Sequence, residues 1–202
     1  MEDTPDSWPV AATEPLLKHW LLTVRSDKVQ MPDKNFAERT VVSHPGAVAV
    51  LALDDADRVL MIRQYRHPVG YQLWEIPAGL RDAAGEPPLE TARRELFEET
   101  GYRAREWHVL IDYFTSPGFS TERLRIYLAR GVELVTDAEG PGYVRHDEEK
   151  YLVNKWVPLA EAVRLAFAGK LHNSAAITGV LAAQSAQSTN FRTIRPANAP
   201  EP

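Results

Sequence analysis

Residues 79–102 read GLRDAAGEPPLETARRELFEETGY, and this stretch decides the fold. Its start and stop signals are those of a helix over about 88–100. Pro87 and Pro88 suit a first turn, where a proline lacks only an N–H that would be unpaired anyway. Gly101 suits the position just past the last turn, where φ is often positive. Leu89, Ala92 and Leu96 fall at i, i+3 and i+7, one apolar stripe for a core. Glu95, Glu98 and Glu99 fall at i, i+3 and i+4 and share another face. Like charges so spaced oppose the helix by roughly 0.2–0.5 kcal/mol per pair. Taken alone, RELFEE could be a solvated face with Arg94 paired to Glu98. Taken with its surroundings, it asks for a cation. Hard oxygen ligands favour Mg²⁺ or Mn²⁺ over Zn²⁺, and the chain has no cysteine.

The whole stretch resembles the Nudix box. That box runs from a glycine through a short loop to a glutamate, then seven residues on to Arg-Glu-hydrophobic-X-Glu-Glu-X-Gly-hydrophobic. Gly79, Glu86, Arg94, Glu95, Leu96, Glu98, Glu99, Gly101 and Tyr102 take those positions. One departure is present: six residues, rather than five, separate Gly79 from Glu86. It lengthens the loop before the helix and leaves the helix frame intact.

Composition frames the rest. The chain has 202 residues, 44% of them hydrophobic, enough for one well-filled domain or a domain with a subdomain. Net charge is −5, and no basic run appears, which argues against a nucleic-acid or anionic-membrane surface. No apolar run approaches the length of a membrane span. The start, MEDTPDSWPV, lacks the charged and apolar regions of a secretory signal. The expected location is the cytoplasm.

Working outward, residues 1–15 read as a flexible N-terminal tail. Residues 16–45 hold two strands, one beginning at Trp20–Val24 and one over Phe36–Ser43, with a turn at Pro32–Asn35. Ala47–Leu53 is a continuous apolar run fit for a strand buried on both faces. Val59–Arg66 is its return strand. In Leu73–Gly79 the proline at 77 marks an edge or a strand end. Strands follow over Trp107–Phe114, Glu122–Ala129 and Lys155–Val157. A helix opens at Pro158 and ends at Gly169, and Asn173 can cap another reaching Ala182. Residues 184–202 read as a flexible C-terminal tail. Strands, one helix, strands and then helices give an α+β class. The resemblance implies a Nudix domain over 46–183, an α/β/α sandwich with a mixed central sheet and an N-terminal antiparallel strand extension.

The resemblance also implies metal-dependent hydrolysis of a nucleoside diphosphate linked to another moiety. Glu95 and Glu99 would be core ligands, joined by Glu98 and by the backbone carbonyl of Ala78. Arg94 would orient the glutamates, and Glu86, Gly79 and Gly101 would be structural. The flanking QYRHP and LWEIPAG segments, with Pro117 sixteen residues after Gly101, look like the ADP-ribose pyrophosphatase branch. That branch implies cleavage of ADP-ribose to AMP and ribose 5-phosphate. Other readings are a nucleotide sugar, a dinucleoside polyphosphate or NADH as substrate, or a non-catalytic ligand-sensing module.

Arg39 and Arg66 are candidate phosphate contacts, since guanidinium matches phosphate oxygens in a fork. Trp74, Glu75, Pro117, Gly118 and Phe119 complete the candidate substrate set. Glu148 or Glu149 would act as, or place, the general base, with His146 a lesser candidate; Lys150 and Tyr151 stand where relatives often carry a further acid. The branch also implies a homodimer through the N-terminal strands, with Arg39 or Phe36 reaching the neighbouring subunit.

Overall fold

The computed structural model describes residues 1–135 and 152–201. Its elements in chain order are β1 (Val10–Lys18), β2 (Thr23–Gln30), β3 (Phe36–Ser43), β4 (Ala47–Ala52), β5 (Arg58–Arg66), β6 (Tyr71–Glu75) and β7 (Ala78–Leu80). There follow α1 (Pro88–Thr100), β8 (Tyr102–Phe114), β9 (Arg123–Leu134), β10 (Val153–Pro158), α2 (Leu159–Phe167), α3 (Ser174–Ser188) and β11 (Arg195–Pro196). The chain divides into two compact units, residues 1–46 with 114–123, and residues 47–113 with 124–202.

The larger unit is built around β4. All six of its residues are buried, as its unbroken apolar run requires. Successive side chains point to opposite faces, so one strand feeds two cores. Val48, Val50 and Ala52 join Ala92 and Leu96 from α1 in one. Ala47, Ala49 and Leu51 join Leu159 and Ala162 from α2 and Ala176, Val180 and Ala183 from α3 in the other. That is the α/β/α layering. The sheet order is β11-β8-β9-β4-β7. It is mixed, because β4 pairs with β9 in parallel and with β7 antiparallel. A separate antiparallel sheet has the order β10-β5-β6.

Local signals explain the termini of the elements. Pro77 falls in the break between β6 and β7, and its carbonyl accepts from Val50 N–H at 2.7 Å. The edge strand β7 therefore begins just after the residue that cannot donate. Asn173 caps α3, accepting from Ala176 N–H at 2.9 Å. The helix α3 approaches the sheet through Gly179, where a Cβ would come within 3.1 Å of Ile76 Cδ1 and 3.2 Å of Leu51 Cδ1. No helix among the described residues is long and apolar enough to cross a membrane.

The smaller unit is an antiparallel meander β1-β2-β3. Residues 114–123 attach to it: Val42 N–H donates to Phe119 C=O at 2.8 Å, and Thr121 N–H to Val42 C=O at 3.0 Å.

Two expectations change. Residues 10–15 are not a loose tail but lie in β1, which pairs with β2 along its length. Every residue of β1 is exposed, so no burial pattern announced it. Main-chain bonds to β2 hold it, and Pro15 sits beside a register shift, where an edge strand tolerates it. Residues 184–201 are not a tail either. The helix α3 runs on to Ser188, β11 pairs with β8, and Ala199 is buried in the core beneath α1. Arg125 supplies the reason: its guanidinium, 3% exposed, donates to Ala199 C=O at 2.8 Å and Pro200 C=O at 3.0 Å.

Candidate active site

Helix α1 ends as the sequence requires. Gly101 has φ of 78°, and its N–H donates to Phe97 C=O at 2.8 Å. The last turns of α1 lie against β7. Glu99 is 6% exposed, and its Oε2 accepts from Ala78 N–H at 2.9 Å. Glu95 lies directly on Gly79. A Cβ at that position would stand 2.0 Å from Glu95 Cδ and 2.1 Å from Oε1. Gly79 is therefore glycine because the Glu95 carboxylate occupies the space a side chain would need. The flexible end of a glutamate can move where backbone cannot. Gly79→Ala is accordingly expected to leave the fold standing and push that carboxylate aside. A displacement near 1 Å at a reacting centre costs about 10²-fold in rate. Parallel measurement of turnover and melting temperature checks this; unchanged turnover would count against a role for Glu95.

Arg94 gathers the acids. Its Nη1 donates to Glu95 Oε1 at 2.7 Å and to Glu98 Oε2 at 2.9 Å, so those two oxygens are no more than 5.6 Å apart. Its Nε and Nη2 donate to the two oxygens of Glu86 at 3.3 and 3.2 Å. The Glu86 bond, with the Glu95 and Glu98 charges, holds the Arg94 proton still more firmly than usual. In return Arg94, with the Thr91 hydroxyl, holds the Glu86 carboxyl below the ordinary range. A depressed carboxyl contributes its stabilisation above its unfolded value and loses it only as pH falls through the folded one. The Glu86–Arg94 pair is thus intact at neutral pH.

Thr91 is the member the sequence did not suggest. It is fully buried, and its Oγ1 donates to Glu86 Oε2 at 2.8 Å. Its place five residues after Glu86, on the first turns of the helix, is the signal that could have found it.

The donor set fits a hard divalent cation. Three carboxylates project from one helix, and Ala78, whose N–H already grips Glu99, lies beside them. Arg94 draws Glu95 and Glu98 together. Among the described residues no three acidic or histidine side chains converge on one point.

A second grouping lies on the β5–β6 hairpin. Glu75, 1% exposed, accepts from Arg66 Nε at 2.8 Å and Nη2 at 2.6 Å, a bidentate pair, and from Gln64 at 3.4 Å. The expectation that Glu75 touches substrate meets this burial; its carboxylate is spent on Arg66, whose side chain is 44% exposed. The Arg63 guanidinium lies 5.9 Å from the centre of the Trp74 ring. Arg39, Pro117, Gly118 and Phe119 belong to the smaller unit. There Arg39 bonds Glu38 C=O, Phe119 is exposed, and the 116–120 turn is closed by Ser120 N–H to Ser116 C=O at 2.9 Å. Glu148, Glu149 and His146 lie outside the described residues.

Comparison with known proteins gives the family. The chain matches the NUDIX domain over residues 43–177. It is 48% identical over 176 residues to an ADP-ribose pyrophosphatase of Mycobacterium tuberculosis, covering 87% of this chain and 82% of that protein. It is 34% identical to an ADP-ribose pyrophosphatase of Bacillus subtilis, covering 76% and 80%. In fold it is similar to the crystal structure of an ADP compounds hydrolase, with a TM-score of 0.74 at 20% identity, over 94% of this chain and all of that one. The matched span encloses Gly79 against Glu95, Ala78 on Glu99 and the acidic face that Arg94 gathers, and the chain belongs to the Nudix hydrolase family.

Proposed function

We propose that this protein hydrolyses the pyrophosphate bond of ADP-ribose, giving AMP and ribose 5-phosphate, with Mg²⁺ or Mn²⁺ as cofactor. The observation that carries the chemistry is the acidic face of α1 held against β7 by Ala78 N–H and Gly79. The choice of substrate is supported by the 48% identical relative named an ADP-ribose pyrophosphatase.

Glu95, Glu98, Glu99 and the Ala78 carbonyl would hold the divalent ion. Such an ion, when bound, offsets phosphate charge and lowers the pKa of an attacking water. The remaining work falls to the chain. Ala78 N–H fixes the orientation of Glu99. Gly79 lets Glu95 lie flat on β7. Arg94, tied to Glu86 and through it to Thr91, sets the spacing of Glu95 and Glu98. Arg66 binds a phosphate of the substrate, and Glu75 acts through it: a buried carboxylate that grips both Nε and Nη2 leaves the guanidinium one orientation. Trp74, with Pro117, Gly118, Phe119 and Arg39, completes the substrate contacts. The general base falls to Glu148 or Glu149.

The test is product analysis. The protein is incubated with ADP-ribose, with and without Mg²⁺, beside ADP-glucose, NADH and diadenosine polyphosphates. Metal-dependent AMP from ADP-ribose, well above the others, is expected. Preference for another compound would keep the Nudix chemistry and discard the substrate.

The same reading includes a homodimer formed by the smaller unit. Trp8, Val10, Leu16, Leu17, Trp20 and Phe36 are all exposed there. Apolar surface on that scale marks an interaction site, and a second copy of the chain is the occupant we assign. Sedimentation equilibrium at micromolar concentration is expected to give the dimer mass; a monomer would refute it.

A further inference from the structure

The C-terminal segment ends on the loop that delivers the chain into α1. It leaves the sheet at β11, where Arg195 pairs with Val109 and Pro196 with His108. Ala199 N–H then closes a turn on Pro196 C=O at 2.9 Å. Ala199 packs in the core that holds Ala92 and Leu96 of α1. Its carbonyl and that of Pro200 are held by the buried Arg125, itself fixed by Asp112 at 2.7 and 3.0 Å. One residue on, Glu201 Oε1 accepts from Arg81 Nη1 at 2.7 Å. Arg81 is the first residue after β7 and the second after Gly79, on which the Glu95 carboxylate rests. Its Nε is buried without a partner, so among the described residues Glu201 is what holds its side chain.

We infer that residues 195–201 form a strap and that Glu201 is a positioning residue for the metal-binding face, acting through Arg81 on the placement of Gly79 and hence of Glu95. This rests on the metal role proposed for Glu95, and it explains how the longer loop between Gly79 and Glu86 is kept in place. A lengthened loop has more conformations to lose, and a far-end clamp removes them. The pair contributes little to global stability. Both side chains are about a quarter exposed, and partly exposed ion pairs are worth little. Its effect is on where the loop sits.

Glu201→Gln in the full-length chain separates these roles. In metal-free protein, trypsin cleavage after Arg81 is expected to quicken about two- to fivefold, since freeing a clamp of this strength raises the open population by that order. Mn²⁺ affinity, read by paramagnetic resonance, is expected to fall about three- to tenfold, less than the roughly 10–100-fold caused by losing a direct outer-shell partner. The melting temperature is expected to move by no more than about 3 °C. The charge swap Arg81→Glu with Glu201→Arg is expected to restore Mn²⁺ affinity to within about twofold of the parent. Unchanged cleavage at Arg81 or unchanged Mn²⁺ affinity in Glu201→Gln would overturn the inference. So would loss of affinity in step with melting temperature, or a swap that restores nothing. If the parent protein turns over no ADP-ribose, the substrate reading fails, while proteolysis and Mn²⁺ binding still judge the strap. If the parent binds no Mn²⁺, the metal role fails, and cleavage at Arg81 alone decides whether Glu201 holds the loop.

Discussion

Glu99→Gln lowers turnover of ADP-ribose by on the order of 10³-fold, while the protein melts within a few degrees of the parent. The amide keeps the shape of the carboxylate and can still accept from Ala78 N–H, which in the parent lies 2.9 Å from Oε2. The fold therefore loses little. What it loses is the negative charge proposed to bind the divalent ion. Loss of a mere supporting partner around a metal costs roughly 10–100-fold, and loss of a ligand costs more. A thousandfold corresponds to about 4 kcal/mol of transition-state stabilisation. Steady-state rates at several Mg²⁺ concentrations, with thermal melts alongside, check the result. Turnover within about tenfold of the parent at saturating Mg²⁺ would remove Glu99 from the ligand set.

Arg125→Met is the second large effect, and it falls on stability. The side chains of Arg125 and Asp112 are 3% and 4% exposed, so the charged groups of the pair have left water. Truncating one partner of a buried pair typically costs about 3–5 kcal/mol, because the other charge stays behind. Among the described residues Asp112 would keep Arg195, at 2.7 Å, and the carbonyls of Ala199 and Pro200 would lose the Arg125 donors. For a chain of this size the melting temperature is expected to drop by about 6–20 °C. The pH dependence carries the sign. Burial pushes the Asp112 carboxyl up, but the Arg125 and Arg195 guanidiniums outweigh it and hold the group below its ordinary range. Its contribution is therefore fully present above the unfolded value, near 3.9, and is lost as pH falls through the folded one. The gap in melting temperature between parent and variant is expected to be constant from pH 7 down to about 5 and to narrow below about pH 4. The double variant Asp112→Leu with Arg125→Met is expected to be less destabilised than the two single variants added together. A gap that widens in acid, or additive single effects, would show that Arg125 acts by packing alone.

The box helix was legible residue by residue. Its bounds, its αL glycine at 101, the burial of Ala92 and Leu96 and the bonds from Arg94 to Glu95 and Glu98 all follow from spacing within a few turns. So does the burial of β4 on both faces, because an unbroken apolar run leaves no side for solvent. The cap at Asn173 is likewise a local bond to an N–H three residues away. Strand β1 was not legible, since none of its residues is buried and its register comes from β2.

Charge is where sequence reading reached its limit. Glu75 reads as a carboxylate poised for a ligand; only the β5–β6 pairing reveals it locked to Arg66. Arg125 reads only as a charged residue within the strand over Glu122–Ala129; the adjacency of β8, with carbonyls 74 and 75 residues away, makes it the anchor of residues 199 and 200. The sequence by itself determined the box helix, the face that displays its acids and the α+β class, because backbone angles, apolar periodicity and helical spacing act over a few residues; the layering came from the resemblance to the Nudix family. The tertiary structure alone decided which charges are buried against each other and that the last residues clamp the loop entering α1, because a charge's partner depends on which distant strands the fold brings side by side.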